Sequence, residues 1–213
     1  MTKITPAPDA RAPFGADQRS GRSAGQAELR GRGRTEPTRP GPAPRRPGLV
    51  LATGFGLGYV PVAPGTAASL ASALLFALLI YGLEGTALQF AYLFGLAGLG
   101  LVGYWSTEQA LPQWEGPDPQ PIVIDEILGQ WVAYAGMVVV AGGLGRPAAT
   151  PGAAWKYLLA GFILFRALDV LKPFPIRRSE RLRGAAGVLL DDVLAGIYAA
   201  VGLVLLAWTG WLR

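Results

Sequence analysis

From Gly48 onward, long uncharged stretches alternate with short polar joints. Residues 67–83, 85–107, 127–145 and 193–212 contain no Asp, Glu, Lys or Arg. Residues 155–171 are apolar in the middle, with Lys156 near one end and Arg166 and Asp169 near the other. Each stretch is close to the ~20 residues a helix needs to cross ~30 Å of hydrocarbon. Lys156 can snorkel, and Trp155, Tyr157, Trp208 and Trp211 fall where interfacial aromatics would. Residues 49–60 are apolar too, but short and broken by three glycines, so they predict a loop or re-entrant piece packed against protein. The expectation is an all-α membrane protein, a bundle of about five transmembrane helices over residues 48–213.

Residues 1–47 differ in kind. They are rich in Pro, Gly, Arg and Ala, follow neither a helical nor a strand period, and predict a disordered tail. Nothing before Leu49 offers the continuous apolar core of a secretory signal.

Composition agrees with the pattern. Of 213 residues, 51% are hydrophobic and 15% charged, against ~25% charged in ordinary soluble domains. Mean hydropathy is +0.35. The net charge of +5 hints at a polyanionic partner until it is divided. Residues 1–47 hold ten of the 19 Lys and Arg and four of the 14 acids, a balance of +6, which leaves −1 for the body. A nucleic-acid partner is therefore not expected. The tail reads as a solvated extension on the basic side of the membrane rather than a headgroup-binding arm.

Loop charges orient the bundle. The basic tail and the cluster Lys172, Arg177, Arg178, Arg181 and Arg183 share one face if the N-terminus is cytoplasmic. The opposite loops carry only Glu84 and Arg146. Nearly all polar groups of the body then gather at the cytoplasmic interface.

The chain has no Cys and no His. That excludes disulfides, Cys/His zinc sites, thiol nucleophiles and every histidine-based mechanism. Carboxylates remain. Asp125 and Glu126 precede one apolar stretch and Asp191 and Asp192 another, entered from the same face. For either pair alone, the helix macrodipole is reason enough for acids at a helix start. Four carboxylates at one interface would repel if bare, and a hard divalent cation, magnesium or calcium, is the simplest compensation.

Arg166, Asp169 and Lys172 are spaced i, i+3, i+6 before Pro173 and Pro175 stop the helix. They read either as a self-neutralising pair with a snorkelling lysine, or as phosphate-binding cations with a further metal ligand or base. The glycines of Thr53-Gly-Phe-Gly-Leu-Gly58 and the turn Pro64-Gly65-Thr66 could cradle an anion on backbone amides. No Walker lysine follows, and a plain tight turn is the better reading of the glycine run. Together these groups suit metal-assisted hydrolysis of a phosphate ester by water, with a phospho-aspartyl intermediate as the other route.

The segments GFGLGYVPVAPGT, IVIDEILGQ, FRALDVLKPFPI and GVLLDDVLAG, in this order, resemble the phosphatidylglycerophosphatase A family over about residues 49–205. The resemblance implies a magnesium-dependent enzyme of the bacterial inner membrane that removes the terminal phosphate of phosphatidylglycerophosphate, a cardiolipin precursor, to give phosphatidylglycerol. By that likeness Asp125, Glu126, Asp169, Asp191 and Asp192 are the metal-binding and catalytic acids. Arg166, Lys172, Gly65, Thr66 and Ser69 become the phosphate-binding set. Ala68 stands where the family usually has Gly, Ala185 replaces the second of two glycines, and Leu168 and Leu189 replace Phe and Met. The polar set is intact. The rival readings are a small transporter or channel with an acidic ion path, and a membrane adaptor acting through its basic tail.

Overall fold

The computed structural model describes residues 47–114, 119–143, 151–179 and 182–212. The expected disordered tail up to residue 46, and the loop charges Arg146 and Arg181, lie outside the described residues. All described residues belong to the unit Pro44–Arg213. In chain order the elements are α1 (Pro47–Ala52), a 3-10 turn (Gly54–Tyr59), α2 (Pro64–Gly82), α3 (Gly85–Ala110), a 3-10 turn (Leu111–Gln113), α4 (Ile124–Gly143), α5 (Pro151–Leu171), α6 (Ile176–Ser179) and α7 (Ala185–Trp208). Among the described residues there is no strand.

Among the described residues, three helical segments are long and apolar enough to cross a membrane: α2, α3 with the turn that follows it, and α7. Their outward faces carry Leu74, Leu78, Phe90, Phe94, Leu101, Val201 and Leu205, each more than half exposed. So much contiguous apolar surface is unfavourable in water and at home in hydrocarbon. Helices α4 and α5 are 20 and 21 residues long but carry Asp125 and Glu126, and Lys156, Arg166 and Asp169, respectively.

Helix α4 is the axis of the bundle and packs against α2, α3, α5 and α7. Its seam with α7 is made by small residues that let backbones touch. A Cβ on Gly196 would run into the Gly129 carbonyl, and one on Gly136 into the Ala200 carbonyl. A Cβ on Gly129 would stand 2.7 Å from the Asp192 carbonyl oxygen. This close approach brings the start of α4 beside the acidic segment of α7. Aromatic rings fill the layer beneath. Phe76 stacks on Tyr134 with centroids 4.5 Å apart, and Tyr92 lies parallel to Trp131 at 6.1 Å. The hydroxyls of Tyr92 and Tyr134 donate to the carbonyls of Trp131 and Leu158, which satisfies both buried phenols.

Helix α7 begins at Ala185, about two turns ahead of the expected apolar start at residue 193. Residues 185–190 are Ala, Ala, Gly, Val, Leu and Leu, which continue the helix, and the Glu108 carboxylate accepts the Ala185 N–H at 3.0 Å. Asp191 and Asp192 therefore sit inside the helix, not in its first turn. The macrodipole accounts for acids in the first turn only, where Asp125 and Glu126 of α4 do lie.

The glycine run is a turn. The N–H groups of Gly56 and Gly58 both donate to the Thr53 carbonyl at 3.0 Å, so those amides are used within the turn. Gly54, Phe55 and Gly56 all adopt positive φ, which reverses the chain after α1. Gly58 lies against the Pro121 carbonyl, and Val123 N–H donates to Ala52 at 2.9 Å. As expected for residues 49–60, this piece packs on protein and fixes the segment leading into α4.

Candidate active site

A cavity of about 250 Å³ opens where α2 and α4 begin, α5 ends and α7 passes. Ala63, Pro64 and Gly65 contribute from α2 and its approach, and Gln120 and Ile122 from the segment before α4. The charged lining is Asp125 and Glu126 from α4, Arg166 and Asp169 from α5, Lys172 just after it, and Asp191 and Asp192 from α7. All five expected acids and both expected cations thus share one cavity, though 67 residues separate Asp125 from Asp192 along the chain.

The acids divide by what they touch. Asp125, Glu126 and Asp192 each present a carboxylate oxygen to a common point, all within 4.8 Å of one another. Asp125 lies within hydrogen-bonding reach of Glu126, and Asp192 of Asp169. Two bare carboxylates hold such contacts only with a proton or a cation between them. Glu126 Oε2, Asp191 Oδ1 and Asp192 Oδ2 are buried oxygens without a hydrogen bond among the described residues, an expensive state unless something else binds them. The residues fit a hard divalent cation by donor type, number and spacing.

Asp169 and Asp191 hold the cations. Arg166 Nη1 is 2.8 Å from Asp169 Oδ2, and Lys172 Nζ is 2.7 Å from Asp191 Oδ2. Arg166 also reaches Ser69 Oγ at 3.4 Å, and Ser69 in turn donates to the Gly65 carbonyl at 2.9 Å. Ser69, fully buried, lies outside the cavity lining and braces the arginine from behind. Thr66 does not line the cavity either. Gly65 does, through its backbone: a Cβ there would overlap the Glu126 carboxylate.

Two lining residues are held in the left-handed region without being glycine. Lys172 has φ of 42° and Ala63 φ of 49°, and each directly precedes a proline. Such positions cost about 1–3 kcal/mol and persist where the surrounding structure enforces them. At Lys172 the reversal ends α5 and leaves the side chain on Asp191 of α7, a reach that i, i+3, i+6 spacing does not describe.

Sequence reasoning missed Gln120, Ile122 and Ala63 as lining residues, and no residue-type signal marks them. It also passed over Gln130, which is fully buried one turn below Glu126 with both amide atoms unpartnered among the described residues.

Fold and site together define a helical membrane protein with a carboxylate-and-cation cavity of the kind that handles phosphate esters. Residues 50–207 match the family model described as phosphatidylglycerophosphatase A. The chain is 37% identical to phosphatidylglycerophosphatase A of Haemophilus influenzae over 71% of its own length and 83% of that protein's. It is 33% identical to phosphatidylglycerophosphatase A of Escherichia coli, covering 72% of this chain and 80% of the relative. A protein of Bacteroides thetaiotaomicron with the provisional name phosphatidylinositol-3-phosphatase is 32% identical over 75% of this chain and 93% of its own. No solved structure matches. The chain belongs to the phosphatidylglycerophosphatase A family and is a membrane lipid phosphatase of that family.

Proposed function

We propose that this phosphatase removes the terminal phosphate of phosphatidylglycerophosphate, giving phosphatidylglycerol and inorganic phosphate, at the cytoplasmic leaflet of the bacterial inner membrane. The observation that carries the reading is the convergence of three carboxylates within 4.8 Å beside two ion-paired cations in one cavity. Asp125, Glu126 and Asp192 would hold magnesium, which when bound supplies Lewis acidity toward the phosphoryl group. Arg166 and Lys172 turn from their carboxylates toward the phosphoryl oxygens and absorb the charge that develops there. Asp169 and Asp191 keep those cations aimed when no phosphate is present, and one of the two accepts the proton of the attacking water. The same acid returns that proton to the departing lipid oxygen as the P–O bond breaks, leaving the lipid hydroxyl and inorganic phosphate.

The same reading includes five membrane crossings. At 20 and 21 residues, α4 and α5 are long enough, and the charges that lower their hydropathy lie mostly at the cavity end. Loop charge favours the cavity end inside, with Lys172, Arg177, Arg178 and Arg183 around it. An ion path is disfavoured by the packed layer of Phe76, Trp131 and Tyr134, which fills the bundle interior.

The name of the Bacteroides relative suggests a phosphoinositide instead. Both molecules present a phosphomonoester on a lipid headgroup, so the assay must include both. Purified protein in mixed micelles should release phosphate fastest from phosphatidylglycerophosphate, with magnesium required and a chelator abolishing turnover. Faster release from phosphatidylinositol 3-phosphate would reassign the substrate. No release from any phosphorylated lipid would end the proposal.

A further inference from the structure

Beyond the cavity wall, the chain makes an ordered turn that the hydrolysis does not use. After Lys172 it passes through Pro173, Phe174 and Pro175 into α6, where buried Ile176 anchors it. The Ile176 N–H donates to Pro173 and the Arg178 N–H to Pro175, both at 2.8 Å. Tyr198 of α7 donates its hydroxyl to the Phe174 carbonyl at 3.3 Å, which ties the turn to the bundle.

What this rigid turn displays is an exposed aromatic–guanidinium pair. Phe174 is 70% exposed, and the Arg178 guanidinium stands 4.7 Å from its ring centroid. Arg177 beside it is exposed as well. The salt bridges among the described residues, Arg166–Asp169 and Lys172–Asp191, involve neither arginine. Val170 and Leu171, just before the turn, are 73% and 67% exposed. Aliphatic side chains, then an aromatic ring, then exposed guanidinium groups is the order met on leaving hydrocarbon for the phosphate layer of a bilayer. Stacking on the ring restricts the Arg178 fork and lowers the entropy lost when it grips a phosphate.

We propose that Arg177 and Arg178, with Phe174 orienting the second of them, form a headgroup site for the phosphate of an anionic phospholipid, separate from the catalytic cavity. The site holds a lipid phosphodiester at the membrane surface beside the cavity mouth and raises the local share of anionic lipid there. It rests on the membrane placement proposed above and not on the hydrolysis.

The test is direct binding of phosphatidylglycerol to the full-length protein in neutral detergent, with millimolar inorganic phosphate present to occupy the cavity and phosphatidylcholine as the comparison lipid. Wild type should bind phosphatidylglycerol selectively. R177Q/R178Q should weaken that binding about fivefold for each arginine removed, with an unchanged thermal midpoint. R177K/R178K should fall between wild type and R177Q/R178Q, because lysine keeps the charge and loses the stacked fork, and Lys172→Gln should retain the binding fully. Selectivity that is absent in wild type, or that survives R177Q/R178Q, overturns the proposal. So does displacement of the lipid by phosphate, which would make this a free-phosphate site. Binding without any phosphatase activity would sink the proposed reaction alone.

Discussion

The Glu126 carboxylate rests against the backbone of Gly65, where any side chain would collide with it. That contact joins the start of α2 to the first turn of α4 and sets the depth of the metal-type cluster. Gly65→Ala should push Glu126 away from Asp192. Because catalysis tolerates little misplacement, turnover should fall by about a hundredfold with helical content preserved by circular dichroism.

Asp192→Asn and Glu126→Gln keep side-chain size and remove charge. Each should lower turnover by on the order of a hundredfold and raise the magnesium concentration needed for half-maximal rate. Full magnesium-dependent activity in Asp192→Asn would show that the cluster within 4.8 Å is not the metal site.

Lys172 combines a left-handed backbone with a functional side chain, so activity and stability should separate there. Lys172→Gly relieves the backbone and loses the ammonium; Lys172→Ala loses the ammonium and keeps the strain. Both should lose activity by tenfold or more, on the order expected for a lost charge-stabilising donor. In reversible unfolding the glycine variant should be the more stable of the two by about 1 kcal/mol. Equal stabilities would count against an enforced positive φ.

The α4–α7 seam should be intolerant of even one carbon. Gly196→Ala places a methyl against the Gly129 carbonyl and Val132, and should cost about 1–3 kcal/mol, seen as a lower thermal midpoint in detergent. Activity should drop with it, because the seam also sets the spacing of Asp192 to Asp125. Gly82→Ala, where a Cβ meets open space, is the matched control and should leave both unchanged.

Much of this was legible along the chain. Uncharged runs marked the helices, because burying or bilayer-solvating a charge is too costly to allow one in mid-span. The charged lining was legible too, since so few charges remain in the body that each demands a reason. Boundaries were less so. The uncharged run predicts a start for α7 at Val193, because Asp191 and Asp192 look like helix-end acids. The small and apolar residues before them, and the Glu108 carboxylate on Ala185, carry the helix further back. Ser69, expected as a phosphate contact, is buried outside the cavity lining and accepts from Arg166, a neighbour 97 positions away.

The sequence by itself determined the class of molecule and the chemistry open to it. Apolar runs of membrane length impose helices, because a backbone in hydrocarbon must satisfy its own hydrogen bonds. A chain without His or Cys leaves oxygen ligands as its means of holding a metal ion. Only the tertiary structure decided which acids meet. Periodicity records that a helix has a polar or a small face, but not which face of another helix it meets. That choice was made by glycines at 129, 136 and 196, which let α4 and α7 approach backbone to backbone. It separated Asp125, Glu126 and Asp192 as one cluster from the pairs Arg166–Asp169 and Lys172–Asp191.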